Sequence, residues 1–122
     1  RLSSTYPCRE NCTDPNLGVI ALSAQYRGRE SVDLANTGGL PVDLEQYRLT
    51  SAPWGYSFSP NSVLQPGETM RIRLWESVEE DEEHLIRHWP VGPILNNAGD
   101  SLQLRRYDDV VIACTAWGTR SC

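Results

Sequence analysis

The chain contains no lysine: all 11 of its basic residues are arginine. That bias points to the codon usage of a high-GC genome. Histidine is almost as scarce, with only His84 and His88, so few side chains could serve as a base near neutral pH. There is no G-x-S-x-G, and there is no H-E-x-x-H. Those absences argue against a serine hydrolase elbow and a zincin helix. No catalytic residue, no cofactor and no enzymatic activity is therefore expected. No apolar run approaches the roughly 18 residues that a membrane-spanning helix needs. The chain starts at Arg1 without an apolar leader, as expected of a mature form or an excised domain.

The 122 residues suit one domain. The formal charge is −5, which repels phosphate and disfavours nucleic acid as a partner.

The four cysteines are Cys8, Cys12, Cys114 and Cys122. Their C-x3-C and C-x7-C spacings do not match paired zinc knuckles. An even number near the termini points to disulfides formed in an oxidising compartment, hence to a secreted or cell-envelope protein. Three pairings are open. Two of them clasp the N-terminal arm to the C-terminal tail, and a clasp is the favoured expectation. Each bridge is worth roughly 2–4 kcal/mol. Asn11-Cys12-Thr13 matches a glycosylation sequon but reads as a chance triplet.

Residues 1–16 are polar and aperiodic, a terminal arm. From Leu17 the pattern turns strand-like. Val32 and Leu34 alternate with Ser31, Asp33 and Ala35, and Met70, Ile72 and Leu74 alternate with Arg71, Arg73 and Trp75. Thr37-Gly38-Gly39, Gln65-Pro66-Gly67-Glu68 and Asn96-Asn97-Ala98-Gly99-Asp100 read as turns. Asp108-Asp109 reads as a two-residue hairpin between strands at 101–107 and 110–117. About eight short strands with turns between them predict a sandwich or barrel. The acidic stretch from Glu76 to His88 reads as either a short helix or a solvated loop.

Three ordered stretches carry a resemblance. "ESVDLANTGGLPVDLEQYRLT" (30–50), "YSFSPNSVLQPGETMRIRL" (56–74) and "LNNAGDSLQLRRYDDVVIACTAWG" (95–118) together resemble the lamin-tail domain. The resemblance covers roughly residues 17–118. Tyr47 stands where the family often has Trp, the acidic segment is longer than usual, and the cysteines lie outside the pattern. The resemblance implies an all-β, immunoglobulin-like β-sandwich with disulfide-tethered arms: arm 1–16, sandwich 17–118, tail 119–122. Its bacterial exported members accompany nucleases, hydrolases and surface proteins. There the domain is generally taken to bind or tether, so the resemblance implies a noncatalytic module whose partner is a protein or a cell-surface polymer.

Candidate binding residues are the aromatics Trp54, Tyr56 and Trp75, which could anchor a protein or stack on sugar. Arg71, Arg73, Arg105 and Arg106 could serve nucleic acid if they converge on one face. His84 and His88, with Glu80, would share one face of a helix and are the candidate metal ligands. The bland reading, a solvated acidic segment with exposed histidines, is favoured for them. No metal is expected. Calcium on the run Glu79-Glu80-Asp81-Glu82-Glu83 is disfavoured, because the run has no interleaved glycines.

Overall fold

The computed structural model describes residues 14–74, 85–89 and 94–122. Cys8, Asn11, Cys12, Trp75, the acidic run and His84 lie outside them. The strands, in chain order, are β1 (Ile20–Gln25), β2 (Ser31–Asn36), β3 (Val42–Asp43), β4 (Tyr47–Ser51), β5 (Trp54–Ser57), β6 (Val63–Leu64), β7 (Thr69–Arg73), β8 (Ile86–His88), β9 (Gly99–Arg106) and β10 (Val111–Gly118). The 3-10 turn Leu44–Gln46 is capped by Asp43, whose Oδ1 accepts from the Glu45 N–H at 3.0 Å.

Two four-stranded sheets, β1-β2-β7-β8 and β10-β9-β4-β5, face each other, and β3-β6 is a small side ribbon. This is the all-β, immunoglobulin-like sandwich that the sequence predicts. The alternation explains it. Val32, Leu34, Met70 and Ile72 point inward from one sheet and Tyr47, Leu49, Leu102, Leu104 and Ile112 from the other, all buried. Removing one such side chain to Ala typically costs about 2–5 kcal/mol.

Turn chemistry fixes the register. Gly67 has φ +83, and Glu68 N donates to Gln65 O at 3.0 Å, as the P-G-E pattern requires. At N-T-G-G the cause is steric. Gly38 does not need positive φ; a Cβ there would lie 2.9 Å from Val19 Cγ1. Asn36 is the tie: its Nδ2 donates to Leu40 O and Leu64 O, both at 2.9 Å, and its Oδ1 accepts from Gly38 N. Asp100 accepts backbone bonds from Asn96 N at 3.1 Å and Ser101 N at 2.8 Å.

Several expectations change. The β9–β10 loop is not the two-residue Asp108-Asp109 turn. Arg106 N donates to Val110 O, so Tyr107, Asp108 and Asp109 form the loop, with Asp109 at φ 70 and a register shift between Val111 and Ala113. A left-handed third loop residue followed by a bulge is the usual three-residue hairpin. His88 sits on a strand that pairs parallel with β7, not on a helix. Arg87 of the same strand points into the core and is buried.

The favoured clasp is also not formed. Cys114 pairs with Cys122, with Cα atoms 5.9 Å apart, so the staple is local to the tail. The tail is short, and its turn after Gly118 folds back over Gly99, bringing Cys122 beside β10.

The start of the described chain is held by a polar network instead. Buried Asp14 accepts from Tyr47 Oη at 2.9 and 3.0 Å and from Arg106 Nη1 at 3.0 Å, while Asn16 Nδ2 donates to Tyr47 Oη at 2.8 Å. Burial pushes the Tyr47 phenol up to about 12, and the Asp14 carboxylate adds to the rise. Glu30, also buried, binds the Leu95 N–H at 2.9 Å, and burial raises its carboxyl.

Two outcomes follow. The folded state holds Tyr47 protonated above its ordinary value of 10.0. Stability is therefore full below that pH and falls as the pH rises from 10 toward 12. Tyr47→Phe should remove that alkaline loss and lower stability by about 1–3 kcal/mol at neutral pH, measured by urea unfolding across pH. Cleavage after Arg106 and Arg120 without reductant should leave Ser121-Cys122 attached to the Tyr107–Arg120 peptide by mass spectrometry. Attachment to a peptide holding Cys8 or Cys12 would restore the clasp.

Candidate binding site

The outer face of the β10-β9-β4-β5 sheet is set by what the inner face buries. With Tyr47, Leu49, Leu102 and Leu104 turned inward, Arg48, Thr50, Gln103 and Arg105 must point outward. The register places Arg48 opposite Arg105 and Thr50 opposite Gln103. On the other side of β4, Thr50 lies opposite Gly55. Gly55 offers no side chain, and a Cβ there would meet only Leu49 O, at 4.0 Å. Gly55 is one side of an open depression of ≈ 320 Å³. Arg48, Thr50, Gln103, Arg105 and the Ala52–Gly55 corner line it. Trp54, 42% exposed, forms part of that corner.

Two arginines directly opposite on adjacent strands repel each other. Asp109 partly offsets this. Its Oδ1 lies 3.4 Å from Arg48 Nη2 and 4.0 Å from Arg105 Nη1, with the Asp109 side chain 67% exposed. Thr50 Oγ1 accepts from Arg105 Nε at 3.1 Å and holds that guanidinium in place. Arg48 Nε is shielded from solvent with no acceptor among the described residues.

Other arginines are better satisfied. Arg106 grips Asp108 through two contacts, 2.7 and 2.6 Å, and also reaches Asp14. The Asp108 contact raises the Arg106 guanidinium and lowers the Asp108 carboxyl. Arg71 grips Asp33 through two contacts, 2.8 and 3.0 Å.

Of the residues singled out from sequence, the structure gathers few. Trp54 lines the depression, but Tyr56 does not join it. Tyr56 pairs with Leu49, an inward position, and packs against Phe58 and Trp89 with ring centroids 5.2 and 5.8 Å away. Both are on β5, Trp54 at its first residue directly after the Ala52–Pro53 turn and Tyr56 two residues further on. Trp117 stacks on Tyr26 at 4.5 Å, and its Nε1 donates to Asn96 O. The arginine patch does not form: Arg71 and Arg73 are on β7 of one sheet, Arg105 and Arg106 on β9 of the other. His88 is half-buried on β8 and its intended partner His84 is outside the described residues. Among the described residues, no three of His, Cys, Asp and Glu converge as metal ligands. Sequence reasoning missed Arg48, Thr50 and Gln103. Alternation marks each as outward, but only register shows that they meet.

The two aspartates of the β9–β10 loop should behave differently. Asp108→Asn should cost about 1–2 kcal/mol, because it breaks the fork to Arg106. The Asp108 carboxyl is held below its ordinary 3.8, so its contribution is present above that pH and lost as pH falls through the lowered value. Asp109→Asn should stay within about 0.5 kcal/mol of the parent, since the site is exposed and Asn tolerates φ 70. Thermal unfolding at pH 7 and pH 3 checks both.

No family model matches the chain, and no curated protein matches it. Among solved structures it is similar to the archaellum periplasmic stator protein complex FlaF and FlaG from Sulfolobus acidocaldarius. Identity is 13%, over 94% of this chain and 100% of that one, with a TM-score of 0.44. A likeness that loose says nothing about what this chain binds.

Proposed function

We propose that this chain is a noncatalytic binding or tethering module of an exported or cell-envelope protein, built on a lamin-tail-like sandwich, and that its partner is a protein. The observation that carries this is the depression over Gly55. It is a recess set on paired strands, with two arginines and a tryptophan around it. Tryptophan and arginine are the residues that most often dominate protein interfaces. Positions on strands are also held more firmly than positions on loops. The Cys114–Cys122 bridge supports an oxidising compartment. No helix among the described residues is long and apolar enough to cross a membrane.

The rival readings have less support. Sugar binding through Trp54, Tyr56 and Trp75 loses its central ring, because Tyr56 packs inward. Nucleic acid binding loses its patch, because the four arginines fall on two sheets.

Gly55→Val should fill the recess while leaving the backbone free to adopt its present shape, since position 55 has no positive φ and no close neighbour. A photo-crosslinker placed at Ser57 should give one discrete adduct with the cell-envelope fraction of the source organism. That adduct should vanish in Gly55→Val and in Arg48→Gln/Arg105→Gln. An adduct that survives all three substitutions would refute the reading.

A further inference from the structure

The depression has the chemistry of a carboxylate receptor whose two arginines already share one carboxylate, that of Asp109. We infer that Arg48 and Arg105 form a subsite for an acidic side chain of the partner protein, and that Asp109 is an internal stand-in which that side chain displaces. The inference rests on the binding-module reading above and names the chemistry of the same recess.

The argument begins with distances. A charge-assisted N–H···O bond settles at about 2.7–2.9 Å, and an arginine fork prefers to hold a carboxylate by two such bonds. Arg106 and Arg71 meet that standard with Asp108 and Asp33. Arg48 and Arg105 do not: one oxygen of Asp109 serves both, at 3.4 and 4.0 Å. Two guanidiniums and one carboxylate leave a local charge of +1 on a chain whose net charge is −5. The shielded Nε of Arg48 still lacks an acceptor among the described residues. A carboxylate arriving over Gly55 could approach both forks, and nothing at that position stands in its way.

Asp109 is also suited to being moved aside. It is 67% exposed, sits at the αL position of a three-residue hairpin, and holds no backbone turn with its carboxylate. Asp108, next to it, is the one locked to the fold through Arg106. A protein is the favoured source because Trp54 is the exposed aromatic at the recess, while Tyr56 is turned away from it. A single exposed tryptophan beside an arginine pair matches the Trp–Arg make-up of protein hot spots.

The test is an NMR titration of the intact chain, following arginine Nε–H and tryptophan indole signals. The probes are a blocked hexaglutamate peptide, an oligogalacturonate and a neutral dextran oligomer. Hexaglutamate should shift Arg48, Arg105 and Trp54, and neutral dextran should shift none of them. Asp109→Asn should bind hexaglutamate roughly two- to fivefold more tightly, the gain expected from removing an exposed competing ion pair. Asp33→Asn makes the same change of net charge on the other sheet and should leave the affinity unchanged. Arg48→Gln should abolish the shifts while keeping the dispersion of the backbone spectrum.

Equal gains in Asp109→Asn and Asp33→Asn would overturn the inference, because the effect would then be bulk charge. Tighter binding of oligogalacturonate than of hexaglutamate would overturn the protein source in favour of an acidic glycan. If Arg48→Gln removes binding but Asp109→Asn changes nothing, the stand-in is refuted and the module reading is not. Absence of shifts with every probe and variant, together with a Ser57 adduct insensitive to the recess, refutes both.

Discussion

A strand has two faces, and burying one set of side chains exposes the other. Tyr47, Leu49, Leu102 and Leu104 are fully buried between the sheets. Their burial leaves Arg48, Thr50, Gln103 and Arg105 no place but the outer face. A one-residue slip of β4 would bury Arg48 and Thr50 and expose Tyr47 and Leu49. The strand part of the recess is therefore set by the same register as the core beneath it. The polar network of Asp14, Tyr47 and Arg106 reinforces the same register, since it joins the start of the described chain to β4 and to the end of β9.

Much of the fold was legible in the amino-acid pattern because it is local. Period-two alternation marks β2, β7 and β9, and Pro66-Gly67 marks a reversal whose dihedral only glycine meets freely. What was hidden depends on neighbours distant in the chain. Tyr56 looks like an exposed aromatic until its opposite residue is known to be the inward Leu49. Four arginines look like one patch until the sheet order puts β7 and β9 in different layers. The Asp108-Asp109 loop differs by one residue, because the sequence does not show which side of Tyr107 the last ladder bond falls on. For the cysteines, parity and context give oxidation, but pairing depends on where the tail goes after Gly118.

The site shows the same division. Trp54 was visible as an aromatic without a helix or core pattern to absorb it. Arg48 was not, because a lone arginine on an alternating strand is usually a solvated outward residue. Its significance comes from facing a second arginine across β4 and β9 with too little negative charge nearby to satisfy both.

The order of strands also bears on how the chain is made and moved. β4 lies between β5, its near neighbour in the chain, and β9, which comes much later. The sheet β1-β2-β7-β8 is spelled out by His88, yet its apolar face has no complete cover until β9 and β10 exist. Contacts so far apart in the chain carry a high contact order, and loop closure makes such topologies slow to form. A ribosome or translocase handling this chain would meet an incompletely folded polypeptide until β9 and β10 are present. Under the proposed export reading, late folding keeps the chain in the extended form that a narrow channel can pass.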